Sequence, residues 1–177
     1  MTMVTPAKRL IDILEVKYRA SVSESTNSKI AAMLNFISLY NHQEKQFFLN
    51  GPYSIIAVPQ YQLDGMTVFQ FDAEIFNVYM FNLVAGSSGT TELDCRIKPQ
   101  ASGAFTSIFS TRPKITVAAG NAKWVGVGDV VANTTAPILT SGSDPLEVSA
   151  GDALVLDLID AQVGGQNCGL LIHYRPR

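Results

Sequence analysis

The chain has 177 residues, and its 13 lysines and arginines against 15 aspartates and glutamates give a formal net charge of −2. This length suits one domain of ordinary size, with a core that needs no metal or disulfide to hold it. The charge balance argues against a protein that coats nucleic acid, which usually has a basic excess. Charged residues make up only 16% of the chain, against about 25% in a typical soluble domain, so we expect other subunits to cover part of the surface.

Residues 1–52 form the first of two predicted regions, an N-terminal α-helical arm. We expect one helix from Pro6 to about Ala20 and a second from about Lys29 to Lys45, with Ser28 as its N-cap. Two short helices need a further surface for their apolar stripes, which could be the rest of the chain, copies of the same helix or another protein. We interpret the arm as a docking and oligomerisation segment. Its predicted interface residues are Leu10, Ile11, Leu14, Tyr18, Ile30, Met33, Leu34 and Ile37.

Residues 53–177 form the second predicted region, a jelly-roll-type antiparallel β-sandwich. From Gly65 onward, apolar residues alternate with polar ones, as they do in half-buried strands. About eight strands with short turns fit into roughly 110 residues, which is typical of sandwich and jelly-roll folds. The predicted fold class is therefore mainly β, with the helical arm in front of the sandwich.

The segment from Glu74 to Val84 is apolar on both faces, which predicts that both faces are covered. One face would pack on the core of the sandwich. The other would meet the N-terminal helices or another subunit, and we assign Phe76, Val78 and Met80 to this interface.

Cysteine usage and targeting signals indicate a protein made in the cytosol. Strict alternation from Thr91 to Lys98 places Cys95 in the core, and Cys168 is the only other cysteine. A single bridge stays open as an alternative, but two unpaired buried thiols in a reducing compartment is the simpler interpretation. The N-terminus lacks the pattern of a signal peptide, and no apolar run approaches the length of about 18 residues that a membrane helix needs.

Catalytic and metal-binding motifs are missing from the sequence. The HExxH, CxxC, GxSxG and P-loop patterns, which mark zinc, redox, hydrolase and nucleotide sites, do not occur. We interpret His42 as a polar residue at the end of a helix and His173 as a strand-surface residue. Trp124, the one tryptophan, is expected in the core or in an interface in preference to a sugar-stacking platform.

Carboxylate pairs need separate consideration, because a glycosidase requires only two such groups. Asp72 with Glu74 and Asp157 with Asp160 are pairs of this kind, and such spacings are common in strands and turns. We therefore expect no enzymatic activity, no cofactor and no metal.

Four stretches stand out within residues 66–177: Thr90–Asp94 (TTELD), Phe105–Ile115 (FTSIFSTRPKI), Leu146–Leu158 (LEVSAGDALVLDL) and Gln166–Arg177 (QNCGLLIHYRPR). Through these stretches, residues 66–177 resemble a β-domain that recurs in virion structural proteins of tailed bacteriophages. The turn Ala150-Gly151-Asp152 before an alternating strand is also similar to trimeric jelly rolls of the tumour-necrosis-factor and complement type. These motifs are structural, and the resemblance implies a homotrimer on the capsid surface or in a fibre or tail attachment.

The first functional hypothesis is a capsid decoration (cement) protein. Such a protein would assemble in the host cytoplasm, bind the major capsid protein on the head surface as a homotrimer and stabilise the shell of the virion. Its partners would be itself and the capsid protein, with no nucleic acid and no membrane. On this hypothesis, deletion of residues 1–50 leaves a folded β-domain that no longer decorates capsids.

There are two alternatives, and the second of them comes from another class. A head-fibre, tail-adaptor or receptor-binding fibre protein would plug the arm into a socket and present the jelly roll to a host receptor. A small glycan hydrolase would lose activity on Asp157→Asn or Glu74→Gln with the fold intact.

Overall fold

The structure is a computed structural model, and it describes residues 43–52, 58–63, 65–101 and 103–177. The eight predicted interface residues of the arm, from Leu10 to Ile37, lie outside the described residues, and so does His42. The arm helices before Gln43 therefore stay a prediction.

The described residues are mainly β, with antiparallel pairing throughout, as the sequence predicted. One short 3₁₀ turn, Val117–Ala119, is the helical element among them. The strands in chain order are β1 (Gln43–Leu49), β2 (Met66–Val68), β3 (Ala73–Val84), β4 (Thr90–Lys98), β5 (Thr106–Ser107), β6 (Phe109–Thr111), β7 (Lys114–Thr116), β8 (Lys123–Gly126), β9 (Thr134–Thr135), β10 (Ile138–Leu139), β11 (Leu146–Val148), β12 (Ala153–Asp160) and β13 (Gln166–Pro176).

Two sheets carry most of these strands. Sheet A has the order β1-β13-β3-β11, and β8 also pairs with β3. Sheet B has the order β2-β12-β4-β7-β9, and β5 also pairs with β4. The short strands β6 and β10 pair with each other.

The inward side chains of both sheets join in one buried apolar cluster. Each sheet therefore has one face in this core and one outer face, which is a sandwich-like arrangement. The prediction that Cys95 lies in the core is confirmed, and Cys95 and Cys168 are both buried free thiols. Fully buried members of the cluster include Phe47, Ile75, Met80, Leu170 and Ile172 from sheet A and Leu93, Ile115, Leu154, Leu156 and Leu158 from sheet B.

Strand β1 corrects the predicted end of the second helix. Gln43–Leu49 pairs with β13 over its whole length, and Phe47 is fully buried. The predicted helix up to Lys45 is therefore wrong for its last three residues, Gln43 to Lys45. The residues of β1 fall within the predicted arm 1–52, but they belong to sheet A. The local sequence QEKQFFL suits either a helix or a strand. Its hydrogen bonds to a distant strand, β13, therefore decide the conformation.

Strand β3 corrects two of the predicted interface residues. Phe76 and Asn77 are both half-buried, whereas Ile75 before them and Val78 and Met80 after them are fully buried. The alternation thus shifts by one residue, as it does at a β-bulge. The assignment of Val78 and Met80 to an intersubunit surface is wrong because both lie in the core, while Phe76 stays on the outer face.

Candidate functional site

An aromatic row crosses the outer face of sheet A. Phe48 of β1 lies opposite Gly169 of β13, and Phe81 of β3 lies opposite Trp124 of β8. The rings of Phe48 and Phe81 are stacked over Gly169, with their centroids 5.8 Å apart. Phe48, Phe81 and Trp124, here called the aromatic row, therefore span four neighbouring strands.

Two glycines allow aromatic rings to lie flat on this sheet. A Cβ atom at Gly169 would lie 2.7 Å from Cζ of Phe81, and a Cβ at Gly126 would collide with the ring of Tyr79. Cross-strand pairing of an aromatic ring with a glycine is a known device for stabilising sheets that contain glycine. The absence of side chains at Gly126 and Gly169 thus makes room for the rings of Tyr79 and Phe81.

Part of the aromatic row is exposed to solvent. Trp124 is 60% exposed, Phe48 37%, and the neighbouring Leu83 44%. Contiguous exposed apolar patches, unlike single exposed side chains, often mark interaction surfaces. A groove of about 440 Å³ runs beside the row, lined by Glu44, Gln46, Phe48, Phe81, Leu83 and Leu171.

The same face continues along β13, toward its C-terminal end, with a polar margin. The ring of His173 lies 6.0 Å from that of Phe76 and 5.5 Å from that of Tyr79, centroid to centroid. Nε2 of His173 is 3.5 Å from Oε1 of Glu44. The guanidinium of Arg175 lies 5.6 Å from the centroid of Phe76, within range of a cation–π contact. The face therefore has an apolar middle and a hydrogen-bonding edge.

The outer face of sheet B has the opposite chemistry. Asp94 of β4 lies directly opposite Asp157 of β12, and the two residues are 1% and 0% exposed. Asp157 accepts hydrogen bonds from Nε and one terminal nitrogen of Arg96 and from the backbone N–H of Gln62. Asp94 accepts a hydrogen bond of 2.8 Å from Nε of Arg112. We call Asp94, Asp157, Arg96 and Arg112 the buried ion cluster.

Aromatic rings and a hydroxyl close this cluster. The guanidinium of Arg96 lies 5.1 Å from the ring centroids of both Tyr61 and Phe105. Burial raises the pKa of Asp94, while a hydrogen bond from Ser107 and the charge of Arg112 partly oppose the increase. The two carboxylates are thus shielded from water, whereas Arg96 and Arg112 stay partly exposed. A buried carboxylate without such a partner would be costly.

The carboxylates considered in the sequence as acid–base pairs each accept a hydrogen bond within the fold. The donors are the backbone N–H of Ala150 for Asp72, Arg175 for Glu74, Arg96 for Asp157 and the backbone N–H of Ala161 for Asp160.

One of the three interface residues predicted for the β-domain, Phe76, lies on the aromatic face. Trp124 is exposed at the edge of that face, so of its two predicted locations the core is excluded. Sequence reasoning missed Phe48 because its segment was expected to precede the sandwich, and it missed Gly169 because no local signal marks a glycine beneath a distant ring. The alternation of QEKQFFL would have indicated Phe48 as outward-facing.

Within the described ranges, no cluster of three or more histidine, cysteine or acidic side chains could hold a metal ion. None of the helices that the structure describes is long and apolar enough to cross a membrane.

Comparison of the chain with protein-family models gives no match, and comparison with curated proteins gives no significant match. The function is therefore argued from the surface of the molecule.

Proposed function

We propose that the protein is a structural virion protein of a tailed bacteriophage, a capsid decoration (cement) protein that binds the head surface as a homotrimer and stabilises the shell. The observation that carries the proposal is the partly exposed aromatic row on the outer face of sheet A. Aromatic residues are enriched in the cores of protein interfaces, where charged residues are depleted. Charged residues make up only 16% of the chain as a whole, which agrees with a surface that is covered by other subunits in the assembled particle.

The magnitude of the effect supports a cementing role. Burial of the 60% of Trp124 that is exposed, about 150 Å² of a large aromatic side chain, would contribute ~4 kcal/mol before the costs of association. A single copy gains little from such a contact after those costs. Symmetric repetition over many copies on a shell multiplies the gain, which is the physical basis of cementing.

The finer features of the fold belong to the same proposal. A jelly-roll topology would place the outer face of sheet A around a threefold axis, and the N-terminal helices would lie across neighbouring capsid subunits. The work of such a protein is adhesion, so it requires no reaction, no cofactor and no metal. Its place would be the capsid surface of the virion.

The test removes the row from the full-length protein. The double variant Phe48→Ser, Trp124→Ser changes two outward-facing residues and leaves the core cluster intact. We expect the wild type to be a trimer by sedimentation, and the variant to be a monomer that binds shells of the encoding phage more than about tenfold more weakly. Val130→Ser is the matched control, because Val130 is fully exposed and lies outside the row.

A double variant that remains trimeric and still decorates shells as the wild type does would overturn the proposal. Antibody labelling of purified virions distinguishes the remaining location. Labelling over the whole head supports decoration, and labelling confined to the tail or to fibres would assign the protein to the adaptor or receptor-binding class.

A further inference from the structure

The buried ion cluster holds two carboxylates at neighbouring positions of adjacent strands, where like charges oppose each other. Asp157 accepts three N–H groups, whereas Asp94 accepts one N–H, from Arg112, and one hydroxyl, from Ser107. N–H donors can bond only to an acceptor and therefore favour the ionised carboxylate. Of the pair, Asp94 is thus the carboxylate that can accept a proton at the smaller cost in hydrogen bonds.

The hydroxyl of Ser107 has two possible acceptors. Its Oγ lies 2.6 Å from Oδ1 of Asp94 and 3.2 Å from the carbonyl oxygen of Phe109, and it accepts the N–H of Phe109 at 3.0 Å. When Asp94 is ionised, the hydroxyl donates to Asp94. When Asp94 is protonated, its own O–H can donate to Oγ, and the serine hydroxyl can turn to the carbonyl of Phe109. Both protonation states are therefore fully hydrogen-bonded in the same backbone.

We propose that Asp94 binds a proton as the pH falls while sheet B stays folded, and that the Ser107 hydroxyl reverses its hydrogen bond as the proton binds. The cluster is then a pH-dependent switch of charge on the outer face of sheet B. This inference is independent of the oligomeric state and of the proposed function.

The groups that face Asp94 from the surrounding elements are balanced in charge at neutral pH. Glu92 forms ion pairs with two cations. Its Oε1 lies 3.6 Å from a terminal nitrogen of Arg112, and its Oε2 lies 2.8 Å from Nζ of Lys114. Three carboxylates thus meet three cations, and proton uptake by Asp94 leaves a net charge of +1 beside the partly exposed guanidinium of Arg112. The facing groups are Glu92 and Arg96 of β4, Asp157 of β12, Arg112 before β7, Lys114 of β7, and Tyr61 in the segment that runs along β12.

Titration of the side-chain carboxyl carbons by NMR in the full-length protein tests the proposal directly. Asp94 should titrate above its ordinary value of 3.8 while the amide spectrum remains that of the folded state. The amide of Phe109 should shift with the same midpoint, because its acceptor changes partners. An Asp94 midpoint at or below 3.8, or a Phe109 amide that does not respond, would overturn the proposal.

Two variants separate the switch from a general acid effect. Ser107→Ala should move the Asp94 midpoint to higher pH, because the ionised carboxylate loses a donor.

The second variant is Asp94→Asn. The difference in melting temperature, wild type minus variant, should increase as the pH falls through the Asp94 midpoint, and a constant difference would count against the proposal. Asp144→Asn, on an exposed turn, is the control and should show no such trend. If Asp94→Asn does not fold, the wild-type titration decides alone.

Discussion

Gly169 shows how one residue can determine a surface. It lies between the backbone of β1 and the ring of Phe81, with no room for a Cβ atom. The stacking of Phe48 on Phe81 therefore depends on the absence of a side chain on the strand between them. The aromatic row therefore requires this glycine as well as its three aromatic residues.

Gly169→Ala should lower the free energy of unfolding by about 1–3 kcal/mol or more, as expected for overpacking against atoms that cannot move aside. The nearest obstacle is the carbonyl oxygen of Phe47, which belongs to the backbone. Urea denaturation followed by circular dichroism measures the change. Gly103→Ala is the control, because nothing lies within 4 Å of a Cβ built there, and equal stability of the two variants would contradict this account.

At the scale of elements, β1 is the clearest case of a segment whose partner decides its structure. It alternates between inward Phe47 and Leu49 and outward Glu44, Gln46 and Phe48. Along the chain it follows a segment of helical periodicity, and that neighbourhood favoured the helical prediction. Pairing with β13 buries Phe47 and satisfies the backbone groups of β1 that face β13. A short isolated helix would be marginal in water and would leave Phe47 without this burial.

Truncations on either side of β1 test this. A chain that starts at Gln43 keeps the strand, whereas a chain that starts at Gly51 loses Phe47 from the core and leaves β13 as an edge strand, paired with β3 alone. Removal of a buried phenylalanine side chain alone costs about 3–5 kcal/mol. We therefore expect the shorter chain to melt at a much lower temperature than the longer one, or to aggregate through the freed edge. The earlier expectation that deletion of residues 1–50 leaves the β-domain intact is revised accordingly, and two truncations of equal stability would restore it.

Strand β3 shows a limit of periodicity at the same scale. Two apolar faces were visible in its sequence, but their assignment to core and surface depends on the shift at Phe76 and Asn77. A shift of one residue moves every later side chain to the other face. The strand and its double apolar character could therefore be predicted from the sequence. The shift decided which of Val78, Met80 and Phe81 would be buried.

At the scale of the whole sandwich, the two outer faces differ in kind. Sheet A presents an apolar, aromatic face, and sheet B presents partly exposed cations over buried carboxylates. The shared core between them holds both cysteines, Cys95 on sheet B and Cys168 on sheet A. Burial raises the pKa of both thiols. Because the thiolate is the reactive form, both should be inert in the folded protein.

Thiol labelling with an aromatic disulfide reagent should therefore report global unfolding. We expect both cysteines of the native protein to react slowly, with rates that rise in proportion to the unfolded population as urea is added. Ser143→Cys supplies an exposed thiol on a turn that should react at once. Rapid labelling of Cys95 or Cys168 in the absence of denaturant would show that the sandwich opens locally at one sheet.

The mainly β character of the described region, its antiparallel strands and the place of Cys95 could be predicted from the sequence, because alternation is a local property that each strand carries alone. The folded chain was needed to show that Gln43–Leu49 is a strand, that Gly169 lies under Phe81 and that Asp94 and Asp157 are buried side by side. Each of these depends on contacts between residues far apart in the chain, and no local pattern encodes which strand will lie next to which. The same reason explains why the aromatic row was not predicted as a unit: its three members come from three different strands.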